Sequence, residues 1–408
     1  MRTRFVIATA VMAALATAAA VVSYVDADAA EPALNTKLLE HAIEEMHDAG
    51  APGVIAQVRD GAETWNGAAG VRELGDDAPP KPTDRIRAAS LTKSMISAVI
   101  LRLADSGRFG LDDPIGDYLP GLLPYDEPIT IRQLLNHTSG VPDHFYVVYP
   151  SMKHQSVADI EANRYKRFTP EQIVAGATKQ PLEFAPGTDY KYSNTEYYVL
   201  GMLIEKLTKR SYESVLTSKI LRPAHMDNSY IPRDTAVIAG PHPHAYFVTT
   251  EPDRPLLDTT NLSSTHLWAA GSAISSPGDL NKLYRALFDG TLLTKDERDR
   301  AQTLTPQSRN SYGLGIEAAP VPEDCAPVPG GVSYGHTGGG MGYSTVSFHS
   351  RDGRRQTTFT FTEDVQLSKP DDIKALQQAF QDLFLAGMCS MDGQHTDAKI
   401  AIPKTLLS

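Results

Sequence analysis

The chain has 408 residues, 41% of them hydrophobic, with 30 glycines and 28 prolines, which is ample for a large core. Its formal net charge is −11 and it has no lysine- or arginine-rich run, which argues against nucleic acid or an anionic membrane surface as partners. It contains no phosphate loop, no heptads and no internal repeat.

At the N-terminus, Arg2 and Arg4 precede an apolar run from Phe5 to Val25, and Ala27-Asp28-Ala29 supplies an A-x-A cleavage site. Residues 1–29 therefore read as a signal peptide, and the mature protein is expected to be secreted without a stable membrane anchor. The run is also long enough for an uncleaved anchor, but its many alanines make it weakly hydrophobic. Asn35 to Ala49 reads as an amphipathic helix. Gly53 to Arg59 and Thr64 to Val71 read as a hairpin across Asp60-Gly61. Met95 to Ala104 is strongly apolar and reads as a buried helix led by Ser90. Leu111 to Gln180 is rich in prolines and short helices, and Met152 to Arg167 is polar with little pattern. Thr195 to Thr208 has apolar residues at helical spacing, as does Pro277 to Phe288. Strands return at Tyr312 to Ile316, Val332 to Gly335, Tyr343 to His349 and Gln356 to Thr362, and a last helix spans Asp371 to Phe384. Hairpin strands at both ends with helices between them predict an α+β fold, an α/β sandwich whose antiparallel sheet is built from both chain ends. Residues 30–390 would form one composite catalytic domain, with 30–88 and 270–390 carrying the sheet and 89–269 mostly helical. Residues 391–408 would be a tail.

Three short motifs carry chemistry. In Ser90-Leu91-Thr92-Lys93 the i, i+3 spacing places Lys93 one helical turn from Ser90. A serine hydroxyl needs an adjacent base, and a partly desolvated lysine can be that base or set the potential around it. In Tyr192-Ser193-Asn194 the phenol can relay a proton to a leaving group, and the amide offers both donor and acceptor. In His336-Thr337-Gly338-Gly339 a strand edge presents an imidazole, a hydroxyl and glycines that let a substrate backbone lie close. Each motif has an ordinary reading when taken alone: a Ser N-cap, an aromatic beside an Asn N-cap, a glycine-rich hairpin.

Taken together and in this order, the motifs resemble the penicillin-recognising serine hydrolases, which include class C β-lactamases, D-Ala-D-Ala carboxypeptidases, related esterases and D-peptidases. Gln133-Leu134-Leu135-Asn136-His137-Thr138-Ser139-Gly140 resembles the segment between the first and second motifs of that family. Leu200-Gly201-Met202-Leu203-Ile204-Glu205-Lys206 resembles the helix after the second motif, and Tyr312-Gly313-Leu314-Gly315 the strand before the third. The resemblance runs from about Leu34 to Cys389 and is nearest to the extracellular actinomycete-type carboxypeptidase, whose third motif is H-T-G. It implies a β-lactamase/transpeptidase-like fold and an acyl-enzyme on Ser90, with Lys93 and Tyr192 sharing the proton. It also implies oxyanion donors at the Ser90 and Gly339 N–H groups and substrate contacts from Asn194, His336, Thr337, Gly338 and Gly339.

The expected function is that of a D-alanyl-D-alanine carboxypeptidase acting on peptidoglycan-type peptides and acylated by β-lactams, as a monomer without metal or cofactor. The alternatives are an esterase or a D-peptidase/amidase, then a class C β-lactamase, then a non-catalytic penicillin-binding sensor. Two positions depart from the carboxypeptidase pattern. Glu317 and Gly339 stand where an arginine and a threonine would bind a terminal carboxylate, and no arginine occurs in Ala318 to Ser333. Glu317 either points to solvent or faces the cleft, and in the cleft it would favour amine- or amide-bearing substrates. Arg164, Lys166 and Arg167 form either a solvated face or a basic group reaching in. Cys325 and Cys389, an even count in a secreted chain, read as a disulfide. His242 and His244 flank Pro243, which argues against a shared ligand face.

Overall fold

The computed structural model describes residues 34–151, 156, 158–249, 256–364 and 370–391. The expected signal peptide, residues 1–29, and residues 392–408 of the tail lie outside the described residues. So does most of the Met152–Ser156 part of the polar segment.

The sheet has six strands: β1 (Gly53–Asp60), β2 (Glu63–Gly70), β3 (Glu317–Pro320), β4 (Val332–Gly340), β5 (Tyr343–His349) and β6 (Arg355–Phe361). Their order is β2-β1-β6-β5-β4-β3, antiparallel throughout, so the N-terminal hairpin pairs with the C-terminal meander through β1 and β6. This is the sheet expected from both chain ends. The main helices are α1 (Thr36–Asp48), α2 (Thr92–Asp105), α3 (Asn194–Thr208), α4 (Pro277–Phe288) and α5 (Pro370–Cys389). Asn35 caps α1 by accepting from the Leu38 N–H at 3.2 Å, and Pro277 opens α4 where its missing N–H costs nothing.

The central strands are covered on both faces, and the faces differ. Val54, Val58, Val346, Phe348, Phe359 and Phe361 pack with Ile43 of α1 and Phe380 and Phe384 of α5 in one apolar layer. The other face carries buried hydroxyls that satisfy one another. Thr345 meets Thr360 at 3.0 Å, and Thr358 donates to Asn281 Oδ1 of α4 at 2.7 Å. A second, larger core fills the helical part around α2 and α3.

Two strand boundaries differ from expectation. Tyr312–Ile316 is not a strand: only Tyr312 bridges, to Glu317, and Gly315 has φ +69°. A Cβ on Gly313 would lie 2.2 Å from the Ala301 carbonyl, so the segment is a turn held against the helical part. Conversely β4 does not end at Gly335. Its glycines stay paired to β5 up to Gly340↔Tyr343, because a partner strand rather than intrinsic propensity holds them extended. The His242 and His244 rings stack with centroids 5.8 Å apart.

Cys325, between β3 and β4, is bonded to Cys389 at the end of α5, with Cα atoms 4.9 Å apart. The bridge closes a loop of sequence separation 64. In the chain-entropy account such a loop contributes about 4 kcal/mol. A Cys325→Ser/Cys389→Ser protein should lose about that much in urea unfolding. A loss below about 1 kcal/mol would show that the denatured chain gains little from the cut.

Candidate active site

Ser90 sits in a single 3-10 turn, Ala89–Leu91, that runs directly into α2. The residue before it, Ala89, is held at φ +46°, a costly conformation for a non-glycine residue that surrounding packing must enforce. Strand β4 supplies that packing. A Cβ on Gly338 would lie 2.4 Å from the Ala88 carbonyl, and one on Gly340 would lie 3.2 Å from Ala89 Cβ. These glycines let the Ala88–Ala89 segment lie close against β4.

Lys93 lies in the first turn of α2 and is fully buried. Its Nζ is 2.9 Å from Ser90 Oγ, 2.7 Å from Asn194 Oδ1 and 2.8 Å from the Ala270 carbonyl. Burial lowers its pKa to about 7, opposed by the nearby carboxyl groups of Asp143, Glu317 and Glu196. An uncharged amine is therefore accessible near neutral pH. Asn194 and Ala270 offer only oxygen acceptors to Nζ. In the amine form the two N–H groups go to those oxygens, and the lone pair is left facing the Ser90 hydroxyl.

Tyr192 stands on the other side of Lys93, with Nζ 4.8 Å from its ring centroid. Burial pushes its phenol well above the usual tyrosine range, with the Ser90 hydroxyl acting in the opposite direction. The Tyr192 hydroxyl makes no close hydrogen bond to the protein. Its ring packs on His137, centroids 4.2 Å apart. His137 is buried, and burial holds it well below the usual imidazole range. Its Nδ1 bonds Glu196, whose carboxyl is pushed well up by burial. His137 and Glu196 thus form a buried, hydrogen-bonded support under Tyr192.

The third motif closes the site. His336 packs near Tyr192, centroids 6.4 Å apart, and its Nε2 is 2.9 Å from the Tyr312 hydroxyl. Burial and the neighbouring Lys93 lower its pKa to about 3, so it presents a neutral edge. Glu317 does not point to solvent. It is buried against the third motif, and its carboxyl accepts from the Thr337 N–H at 3.0 Å and from the Thr337 hydroxyl at 2.9 Å.

The structure thus gathers Ser90, Lys93, Tyr192, Asn194 and the 336–340 strand into one site. Arg164, Lys166 and Arg167 are occupied elsewhere: Arg164 donates to the Asn261 carbonyl at 3.0 Å, Lys166 lies 4.9 Å from the Phe168 ring centroid, and Arg167 pairs with Asp234 at 2.9 Å. Sequence reasoning missed the placement of His137 and Glu196, although His137 lay in a quoted segment, and it missed Asp143 altogether. Asp143 sits in a loop where no periodicity could mark it.

The profile of the family described as Beta-lactamase matches residues 39–380. Protein flp of Staphylococcus aureus (strain N315) is 30% identical over 197 residues, 47% of this chain and 37% of that protein, so the chain spans little more than a third of that relative. Penicillin-binding protein 4* of Bacillus subtilis (strain 168) is 28% identical over 324 residues, 74% of this chain and 66% of that protein. A D-stereospecific amidohydrolase from Streptomyces sp. is 31% identical with a TM-score of 0.74, covering 87% of this chain and 99% of that one. D-amino acid amidase from Ochrobactrum anthropi SV3, at 23% identity and a TM-score of 0.72, shares the fold over 86% of this chain and 97% of that one. Among the described residues no helix is long and apolar enough to cross a membrane. The chain belongs to the beta-lactamase family and has the fold of the penicillin-binding-like serine hydrolases.

Proposed function

We propose that this hydrolase cleaves amides of D-amino acids or D-peptides that lack a free carboxylate on the leaving side. The observation that carries this reading is the Glu317–Thr337 contact. The Thr337 hydroxyl has one proton, and it is directed at the Glu317 carboxyl. That hydroxyl is therefore committed within the protein, and an acid stands where the carboxypeptidase pattern has an arginine for the terminal carboxylate. A carboxylate brought there meets the like charge of the Glu317 carboxyl. The likeness to a D-stereospecific amidohydrolase supports the same class.

In this reading Ser90 Oγ attacks the amide carbon while its proton passes to the Lys93 lone pair. The oxyanion is held by the Ser90 and Gly339 N–H groups, and donors of this kind are typically worth 10²–10³ in rate each. Tyr192, held protonated, gives its proton to the departing amine and is reprotonated from Lys93. Water then releases the acid. Export through the N-terminal leader belongs to the same proposal and is supported by the disulfide.

The test compares purified protein on D-phenylalanine amide, its L-enantiomer and a diacyl-Lys-D-Ala-D-Ala peptide. The D-amide is expected to turn over, with free D-alanine released at least about 10²-fold more slowly. Glu317→Gln should narrow that gap by about tenfold, since it removes one like charge. D-alanine release faster than D-amide hydrolysis would sink the amidase reading and restore the carboxypeptidase.

A further inference from the structure

We propose that Asp143 is a positioning residue for acylation: it fixes the Asn194 amide so that its oxygen faces Lys93, which aims the lysine lone pair at Ser90. This rests on the Ser90–Lys93 reading given above. Asp143 Oδ2 accepts from the Asn194 backbone N–H at 2.6 Å and from Asn194 Nδ2 at 2.9 Å. Its other oxygen accepts from the Phe145 N–H at 2.6 Å, so the carboxylate is itself held by the backbone. A carboxylate is acceptor-only, so the end of the Asn194 amide that faces it must be the NH2. Oδ1 is then forced toward Lys93, where it is found at 2.7 Å.

The consequence is directional. Were the Asn194 amide reversed, its NH2 would face Nζ and donate to the amine lone pair. That lone pair would then be tied to Asn194 and lost to Ser90. The energy gap between the two amide orientations is set by Asp143, because the Ala270 carbonyl contacts Lys93 but not Asn194. A neutral residue at 143 would let the amide turn. Asp143 also acts on Lys93 through its charge. The groups around Nζ are the carboxyls of Asp143, Glu317 and Glu196, the rings of Tyr192 and Tyr197, and the buried imidazoles of His137, His144 and His336. Of these, Asp143 contributes the largest upward push on Lys93.

The experiment measures Ser90 acylation by a fluorescent penicillin and D-phenylalanine amide hydrolysis from about pH 5 to 9. It uses the parent, Asp143→Ala, Asp143→Asn, Asn194→Ala and Asp143→Ala/Asn194→Ala proteins, with thermal unfolding as the check on folding. Asp143→Ala should lower the plateau rate of acylation by about 10²-fold, the scale of a misplaced catalytic group, with KM little changed. In both Asp143 variants the acid limb should move to lower pH, because a charge that favours protonated Lys93 is gone. On the plateau, Asp143→Ala should cost less than about threefold more in the Asn194→Ala background, since its target is absent. A merely structural Asp143 would lower activity in step with folded protein and leave the acid limb in place. That result, or acylation within about twofold of the parent in folded Asp143→Ala, overturns the inference alone. An inactive, unlabelled parent overturns the hydrolase reading and this inference with it.

Discussion

Ser90→Ala is expected to abolish both turnover and covalent labelling by β-lactams, with amide hydrolysis falling by at least about 10⁴-fold. The reason is local. Ser90 Oγ is the hydroxyl that Lys93 Nζ reaches, at 2.9 Å, and both are buried in the turn that β4 holds against α2. Without it, water would have to enter and attack from a geometry no side chain here prepares, and only binding and oxyanion donors would remain. Intact-mass spectrometry after incubation with benzylpenicillin reads the adduct directly, and amide turnover reads the rate. The substitution removes only one oxygen, so unfolding should change little. A folded Ser90→Ala protein with more than about 1% of parent activity, or one that still takes a single penicilloyl group, would place the nucleophile elsewhere.

The second large effect is expected at Lys93. Below pH about 7 the lysine is mostly ammonium, its three protons point at Ser90, Asn194 and Ala270, and it cannot accept from Ser90. Above that pH the lone pair is free. The profile of kcat/KM should therefore rise about tenfold per pH unit on the acid side and level off above pH about 7. Tyr192 adds no limb in this range, because burial keeps its phenol protonated well beyond the usual tyrosine value. Lys93→Arg keeps a positive charge that cannot be removed near neutral pH. It should cost about 10³–10⁴ in acylation and abolish the limb. A profile with the acid limb intact in folded Lys93→Arg protein would assign the base to another group.

Much of this site was legible because its chemistry is written in short local spacings. Ser90 and Lys93 are three residues apart, and a helix start converts that distance into one shared face whatever surrounds it. The amphipathic periods of α1, α3 and α4 and the alternation in β5 likewise report burial that a single element can announce. The turn at Tyr312–Ile316 and the long β4 were misplaced for the opposite reason. Both are glycine-rich, and glycine takes whatever conformation its partners impose.

From the sequence alone follow the candidate nucleophile, the three motifs, the cysteine pair and a sheet shared between the two chain ends, since each depends on residue type and order. Packing decided the rest. Lys93 acquires a pKa of about 7 only because α3, the 268–271 helix and β4 shut water away from it. Glu317 faces the third motif only because β3 pairs with β4 in the register Glu317↔Gly335. Asn194 presents its oxygen to Lys93 only because Asp143, 51 residues earlier in the chain, occupies the other end of its amide. Desolvation and hydrogen-bond direction depend on which distant groups arrive beside one another, and neither periodicity nor spacing carries that information.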